Sequence, residues 1–204
     1  RPVGRTAMPA HPPSLPGVAG LHLAWREHRH GTPAEPLVRA WLAAELGADP
    51  AALALARDPH GKPRLLGAQA GDDVSWSHSG DHLLVAFGRG VALGVDLERL
   101  RPRPRALELA RRFFHPREAT WLAARPEPGR ELAFVRLWCA KEAVLKAHGR
   151  GLAFGLHRLE FADDDAGLRL VACAPELGMP GDWSLHEAAP EPGYRAALAW
   201  RARG

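Results

Sequence analysis

Hydrophobic side chains recur along the chain with helical spacing in four stretches, and these stretches predict the helices. Residues 35–46, EPLVRAWLAAEL, place apolar side chains three or four positions apart and are followed by Gly47, a common helix stop. Residues 131–149, ELAFVRLWCAKEAVLKAHG, predict a longer helix that ends in glycine. Two shorter helices are expected on either side of His115-Pro116, over 106–114 and 117–124.

Short apolar runs bounded by glycine or polar residues predict the strands. In the first half these runs are 73–80, 82–87 and 91–97, and the Gly88-Arg89-Gly90 link predicts a β-hairpin. Helices followed by a small sheet then occur again. We therefore expect an α+β fold class of two similar α+β halves, 1–100 and 101–204, each a small antiparallel sheet packed with helices. The later strands are expected over 157–161, 168–174, 183–188 and 194–200.

Charge and composition narrow the choice of partner. The 204 residues carry a formal net charge of +4 with a pI of about 9.7, which favours an anionic partner or ligand. The densest positive segment is RPRPR at 101–105, with Arg111 and Arg112 after it. A solvated loop and a nucleic-acid contact are both open for this segment, although no aromatic side chains are interleaved with it for base stacking.

Cysteine usage and the distribution of apolar runs indicate the compartment. Cys139 and Cys173 are too few for a secreted disulfide framework, and their apolar surroundings predict buried free thiols. No apolar run approaches the ~18 residues of a membrane span. The Pro-rich first 36 residues are expected to begin as loop or tail, and they lack the continuous apolar core of a signal peptide. We expect a cytoplasmic protein that does not enter a membrane.

Two carboxylates in GVDLERL (94–100) form the first candidate site. Alternate side chains of a strand share a face, so Asp96 and Glu98 are expected to point the same way. Like charges so placed raise each other's pKa unless a cation lies between them, and Mg²⁺ takes such oxygen ligands. The alternative is that Glu98 pairs with Arg99 or Arg101 in solvent.

The long helix carries the second candidate site. Glu142 and Lys146 are spaced i,i+4, which in an exposed helix is a weak ion pair worth about 0.3–0.5 kcal/mol. Lys141 lies about 100° away around the helix. Because the surrounding residues are nearly all apolar, we expect this helix to be buried and its charges to be paired or bound to a ligand.

Three shorter segments suggest anion or metal contacts. SHSG at 77–80 offers hydroxyls and an imidazole to a phosphate, or is simply a polar turn, and GKP at 61–63 adds a lysine held by proline. His28 and His30 in REHRH are read as a solvated turn rather than as metal ligands. The phosphate-loop and dinucleotide-binding glycine motifs are absent.

The order of these segments resembles a known family. GKP (61–63), WSHSG (76–80), LGVDLE (93–98), RFF (112–114) and WCAKEAVLK (138–146) resemble the two-domain, Sfp-like 4′-phosphopantetheinyl transferases, whose fold is pseudo-dimeric. The chain departs from the family pattern at Ser75, where asparagine is usual. Family basic residues for the 3′-phosphate have no clear counterpart, and Arg29 or His30 is the expected substitute.

The resemblance implies a function and a set of site residues. It implies a magnesium-dependent enzyme, with Mn²⁺ as an alternative metal, that moves the 4′-phosphopantetheine arm of coenzyme A to a serine of an apo acyl, polyketide or peptidyl carrier protein. Adenosine 3′,5′-bisphosphate is released. The first half would hold the adenine and 3′-phosphate and the second would face the carrier, in a monomer. The implied metal ligands are Asp96, Glu98 and Glu142, the catalytic residues are Asp96, Glu142 and Lys146, and the coenzyme A contacts are Arg57, Gly61, Lys62, Pro63, Ser77, His78, Asp96, Lys141, Glu142 and Lys146.

Two other functions compete with this one. A nucleic-acid-binding module would use the arginine segment, bind in a salt-sensitive way and have no need of Asp96. A protein of the same fold that binds coenzyme A without turnover would not need its acids and lysines intact. Their presence favours the transferase.

Overall fold

The computed structural model describes residues 20–203 and shows a mixture of helices and small antiparallel sheets. No helix within this range is long and apolar enough to cross a membrane. The helices are α1 (Glu35–Leu46), α2 (Ala106–Phe113), α3 (Pro116–Ala123) and α4 (Gly129–His148). The strands are β1 (Leu21–Glu27), β2 (Leu55–Arg57), β3 (Pro63–Leu65), β4 (Asp73–Ser79), β5 (His82–Gly88), β6 (Val91–Arg99), β7 (Leu159–Asp164), β8 (Gly167–Cys173), β9 (Ser184–Ala188) and β10 (Tyr194–Ala202).

Two three-stranded antiparallel sheets enclose the central core. Their strand orders are β1-β5-β4 and β6-β10-β9, and the pairs β2-β3 and β7-β8 form two small additional sheets. Leu84 of β5 and Leu198 of β10 pack in this core with Leu93, Val95 and Leu97 of β6. Burial of these side chains between the sheets stabilises the arrangement, at about 1.5–3 kcal/mol for each fully buried leucine or valine.

Each sheet is also covered by a helix on its other face. Leu83, Val85 and Phe87 of β5 pack with α1, whereas Ala197 and Ala199 of β10 pack with α4. Since alternate residues of a strand point to opposite faces, β5 must be apolar on both. This double burial explains why the sequence HLLVAF is continuously hydrophobic instead of alternating.

The predicted helices are confirmed, each with bounds within two residues of the structure. The strands predicted after α4 are confirmed as β7 to β10. β1 lies where the sequence suggested only loop or tail, and residues 1–19 of that prediction fall outside the described range. Both cysteines are free, as predicted, with Cys139 buried and Cys173 partly buried.

The hairpin predicted across Gly88-Arg89-Gly90 is wrong, because β5 and β6 belong to different sheets. β5 instead forms its hairpin with β4 through Gly80 and Asp81, and Gly80 has a φ of +58° that suits glycine. Apolar periodicity marks both strands but does not say which strands pair. β6, from the first 100 residues, therefore completes a sheet whose other strands come from the end of the chain.

The close approach of α4 to β6 depends on Gly94. A Cβ at this position would collide with the carbonyl oxygen of Ala143 and the backbone nitrogen of Ala147, and would lie 2.9 Å from the Cβ of Lys146. Backbone atoms of a packed helix cannot move aside cheaply. Glycine at position 94 thus allows the helix to lie directly on the strand, and this contact sets the position of the last turns of α4.

We expect Gly94→Ala to lower the free energy of unfolding by about 1–3 kcal/mol, because the added methyl group overpacks the contact between α4 and β6. Urea denaturation of both proteins measures the difference. Gly71→Ala is the matched control, since a Cβ there meets nothing within 4 Å. Equal stabilities for the two variants would show that Gly94 is not needed for the close approach.

Candidate active site

Asp96 lies where β4, β6 and α4 meet, and it is 5% exposed. Its Oδ1 accepts a hydrogen bond from Ser77 Oγ at 3.0 Å and lies 2.6 Å from Lys146 Nζ. Its Oδ2 is buried and has no hydrogen-bond partner among the described residues. A buried carboxylate oxygen without a partner is costly, so this atom is a candidate ligand for a cation.

Glu142 lies one turn before Lys146 on α4 and is 7% exposed. The Glu142–Lys146 pair that the i,i+4 spacing would favour in an exposed helix is absent from the ion pairs of the described residues, because Lys146 contacts Asp96 instead. Glu142 Oε1 is also buried without a hydrogen-bond partner in the described chain. Burial, together with the negative charges of Asp96 and Glu98, raises the pKa of Glu142 to about 7, although Lys146 opposes this shift.

Glu98 is held by an arginine. Arg103 Nη2 lies 2.6 Å from Glu98 Oε2, and the alternative pair with Arg99 or Arg101 is absent from the ion pairs of the described residues. Burial is the main cause of a raised pKa for Glu98, and Asp96 adds to it, whereas Arg103 lowers it. The negative charge of Asp96 therefore raises the pKa values of both Glu98 and Glu142. Within residues 20–203, however, no three acidic, histidine or cysteine side chains are already arranged around a metal position.

Alternate side chains of β4 join it to β6. Ser75 Oγ accepts the N–H of Val95 at 3.1 Å, and Ser79 Oγ accepts the N–H of Arg99 at 3.0 Å. Between these two bonds, Ser77 donates to Asp96. The serines of the SHSG region thus hold the two sheets together by side chains rather than by a backbone ladder, and the Ser77 hydroxyl predicted to contact phosphate is occupied by a carboxylate.

Histidine side chains form a rim beside this cluster. His78 is exposed, and its ring centroid lies 4.9 Å from that of His28. The pKa of His78 is lowered chiefly because part of its ring is shielded from water, and further by His28, Lys146 and His30. The reading of His28 as part of a solvated turn is wrong, because it is 2% exposed and its Nε2 lies 3.0 Å from the carbonyl oxygen of Thr32.

A cavity of about 200 Å³ opens next to Lys146. Arg57 and Trp76 both line this cavity. The guanidinium of Arg57 lies over the ring of Trp76, 5.2 Å from its centre, a distance suited to a cation–π contact. Trp76 was missed as a site residue, although a tryptophan in an otherwise polar strand could have indicated it. Lys146 lines the cavity and also contacts Asp96, so it joins the two features. The lining residues are Arg57, His60, Gly61, Lys62, Pro63, Ser75, Trp76, Lys146, Gly149 and Gly151.

The ammonium group of Lys141 is directed into the protein, away from any ligand. Lys141 is 0% exposed, and its Nζ lies 2.7 Å from Glu118 and donates to the carbonyl oxygens of Leu156 and Leu159. Every proton of the ammonium therefore has a protein acceptor. The prediction that Lys141 contacts coenzyme A is not compatible with this position, since consecutive helical residues point about 100° apart.

The ammonium group of Lys62 is likewise directed inward. It lies within 3.0 Å of Asp73 Oδ2 and of three backbone carbonyl oxygens. Lys62 does line the cavity, but with its charge fully engaged by protein it offers a ligand only its main chain and the stem of its side chain.

Known proteins have sequences similar to this chain. A sequence model of the 4′-phosphopantetheinyl transferase superfamily matches residues 92–199. The 4′-phosphopantetheinyl transferase HetI of Nostoc sp. is 36% identical over 177 residues, which cover 85% of this chain and 71% of HetI. The 4′-phosphopantetheinyl transferase Sfp of Bacillus subtilis is 30% identical over 122 residues, which cover 60% of this chain and 52% of Sfp.

We expect Glu142→Gln to stabilise the metal-free protein at pH 8 by about 3 kcal/mol, and to have little effect near pH 4.5. As the pH rises from 4.5 towards 7, the unfolded chain releases this proton before the folded chain does, so the wild type loses stability over that window. Urea denaturation in chelator at several pH values measures the difference. The exposed Glu27→Gln controls for loss of one formal charge. A difference that does not change with pH would contradict the shifted pKa.

Proposed function

Because the chain belongs to the 4′-phosphopantetheinyl transferase superfamily and is a transferase, we propose that it moves the 4′-phosphopantetheine arm of coenzyme A to a serine of an apo carrier protein. The carrier is an acyl, polyketide or peptidyl carrier protein. The observation that carries this proposal is the meeting of Asp96 and Glu142 with Lys146, which also lines the open cavity. Buried acids beside one lysine suit a reaction at a pyrophosphate.

The reaction makes one phosphorus–oxygen bond and breaks another. The serine oxygen of the carrier attacks the β-phosphorus of coenzyme A, and the anhydride bond to the α-phosphate breaks, releasing adenosine 3′,5′-bisphosphate. Glu142 is suited to accept the serine proton, since a pKa of about 7 is matched to a general base at neutral pH. Lys146 stabilises the negative charge on the transferred phosphate oxygens from the cavity wall.

The acidic cluster fits a divalent cation. Asp96 Oδ2 and Glu142 Oε1 are buried oxygens without a partner in the described residues, which are the hard ligands that Mg²⁺ or Mn²⁺ takes. Asp96, Glu98 and Glu142 would hold the ion, with Glu98 shared with or released by Arg103. When bound, the cation supplies Lewis-acid chemistry and neutralises pyrophosphate charge.

The cavity and the histidine rim suit the two ends of the nucleotide. Arg57 and Trp76 offer a stacking surface for adenine, next to Gly61 and Pro63. The histidine rim of His28, His30 and His78 offers imidazole hydrogen-bond donors that suit the 3′-phosphate. We assign no ligand contact to the ammonium groups of Lys62 and Lys141, since the hydrogen bonds of both are made to acceptors within the protein.

The two halves proposed from the sequence, 1–100 and 101–204, are supported by a repeated set of elements. Each half contributes a helix of 12 or more residues and a two-stranded sheet; the first half also supplies the whole sheet β1-β5-β4, and the second supplies two of the three strands of the sheet β6-β10-β9. A pseudo-dimeric chain supplies both walls of the cleft, so a cytoplasmic monomer suffices, with the adenine side in the first half and the carrier side in the second. The exposed arginines of the segment 101–112 attract the acidic carrier.

Mass spectrometry of an apo carrier protein incubated with the chain, coenzyme A and Mg²⁺ tests the activity. We expect a gain of about 340 Da on the carrier, the mass of the phosphopantetheine arm. Asp96→Asn is expected to slow transfer by about a hundredfold or more, because it weakens the site for the divalent cation and the ion pair that holds Lys146. The exposed Asp165→Asn is the matched control. Absence of the mass gain, or near-normal transfer by Asp96→Asn in saturating Mg²⁺, would sink the proposal.

His78→Ala tests the position of the 3′-phosphate. We expect it to raise the KM for coenzyme A by about tenfold or more, because a charged hydrogen bond is lost, while the KM for dephospho-coenzyme A changes little. Steady-state kinetics with both substrates gives the ratio. The exposed His157→Ala controls for loss of an imidazole. An unchanged ratio would remove His78 from the phosphate site.

A further inference from the structure

The ammonium of Lys62 lies at the C-terminal end of α4 rather than in the cavity. Its Nζ donates to the carbonyl oxygens of Lys146 and Ala147, both at 2.9 Å. These carbonyls belong to the last turn of the helix, where no later N–H of the helix is available to them. The helix dipole places partial negative charge at this end, which favours a cation.

The same ammonium reaches two further acceptors. Its Nζ lies 3.0 Å from the carbonyl oxygen of Leu93 on β6 and 2.7 Å from Asp73 Oδ2 on β4, so its three N–H groups are shared among four acceptors. Asp73 Oδ2 in turn accepts the N–H of Leu93 at 2.9 Å. Lys62 and Asp73 are 5% and 1% exposed, and one point charge thus connects the GKP loop, β4, β6 and the end of α4.

Both strands and the helix turn held by Lys62 carry residues of the proposed reaction. The Lys146 carbonyl is one of its acceptors, and Leu93 lies three residues before Asp96. Gly94, between them, is where α4 touches β6. A shift of the last helical turn would therefore change the 2.6 Å separation of Lys146 and Asp96.

We propose that Lys62 is a positioning residue of the transfer reaction: its buried ammonium fixes the last turn of α4 against β6 and thereby sets the contact between Lys146 and Asp96. The ammonium group of Lys62 thus connects the GKP loop, which lines the cavity, to the part of the site that holds Lys146 and Asp96. This inference rests on the proposed function, but the fixing of the helix end can be measured without turnover.

The test variant is Lys62→Met combined with Asp73→Asn, which removes the charges of Lys62 and Asp73, leaves Arg203, 3.5 Å from Asp73, unchanged, and keeps an acceptor for the Leu93 N–H. We expect kcat to fall by about tenfold to a hundredfold, since a displacement near 1 Å at a reacting group has effects of that size. The dissociation constant for coenzyme A, from calorimetry, should stay within about threefold of the wild type. Arg57→Met is the comparison, a cation on the cavity wall whose loss should weaken binding.

A second variant, Lys62→Arg, distinguishes a positioning role of Lys62 from direct binding of a coenzyme A phosphate. A phosphate ligand tolerates arginine, whereas a buried site built around a point charge does not accept its planar fork. We expect Lys62→Arg to lower kcat as the double variant does. Weaker coenzyme A binding with unchanged kcat in the double variant, or full activity of Lys62→Arg, would show that Lys62 is a ligand. If neither kcat nor the dissociation constant for coenzyme A changes in the double variant, the proposal is also wrong.

Amide hydrogen exchange provides the readout without turnover. In the double variant we expect exchange at Ala147 and Gly149, in the last turn of α4, to accelerate by about tenfold more than at Phe134 in mid-helix. A merely structural loss would accelerate all three together and contradict the proposal. If the wild-type chain transfers no arm, the proposed function fails, and the exchange pattern alone still decides whether Lys62 fixes the helix end.

Discussion

The direct packing of α4 on β6 is the constraint on which the rest of the site depends. With glycine at position 94 the helix can lie on the strand's backbone, and this proximity brings Lys146 of the helix to Asp96 of the strand at 2.6 Å. It also buries Glu142 close to two other carboxylates, which raises its pKa. The two sheets are arranged around this contact, with serines of β4 bonded to β6 beneath it.

Two buried charge clusters on α4 differ in how completely they are satisfied. Lys141 and Glu118 form a closed network in which Glu118 also accepts the N–H groups of His115 and Phe161. Loss of one partner from such a pair commonly costs about 3–5 kcal/mol, so this cluster has a structural role. Around Asp96 and Glu142, in contrast, two oxygens lack a partner among the described residues. A cluster that stays incomplete within the protein is suited to bind a ligand, and it lowers stability for that purpose.

Much of the fold could be predicted from the sequence, because helical periodicity and glycine stops are local signals. The helices and the later strands follow from them. Strand pairing could not be predicted. Because β5 is apolar on both faces, its hydrophobic pattern does not indicate which strand lies next to it in the sheet. At the site, the resemblance of the motif order to the transferase family led to the prediction that Asp96, Glu142 and Lys146 meet. The inward direction of the Lys62 ammonium group could not be predicted, because its acceptors come from distant parts of the chain, up to 85 residues away.

Carbon-13 NMR of the glutamate carboxyl groups tests the central claim most directly. With the signal of Glu142 assigned by the Glu142→Gln variant, we expect a titration midpoint near pH 7 in chelator, as the buried cluster requires. Added Mg²⁺ should lower this midpoint by about one unit or more, because a bound cation favours the ionised carboxylate. A midpoint near the ordinary glutamate value of about 4.3 that does not move with Mg²⁺ would contradict the account.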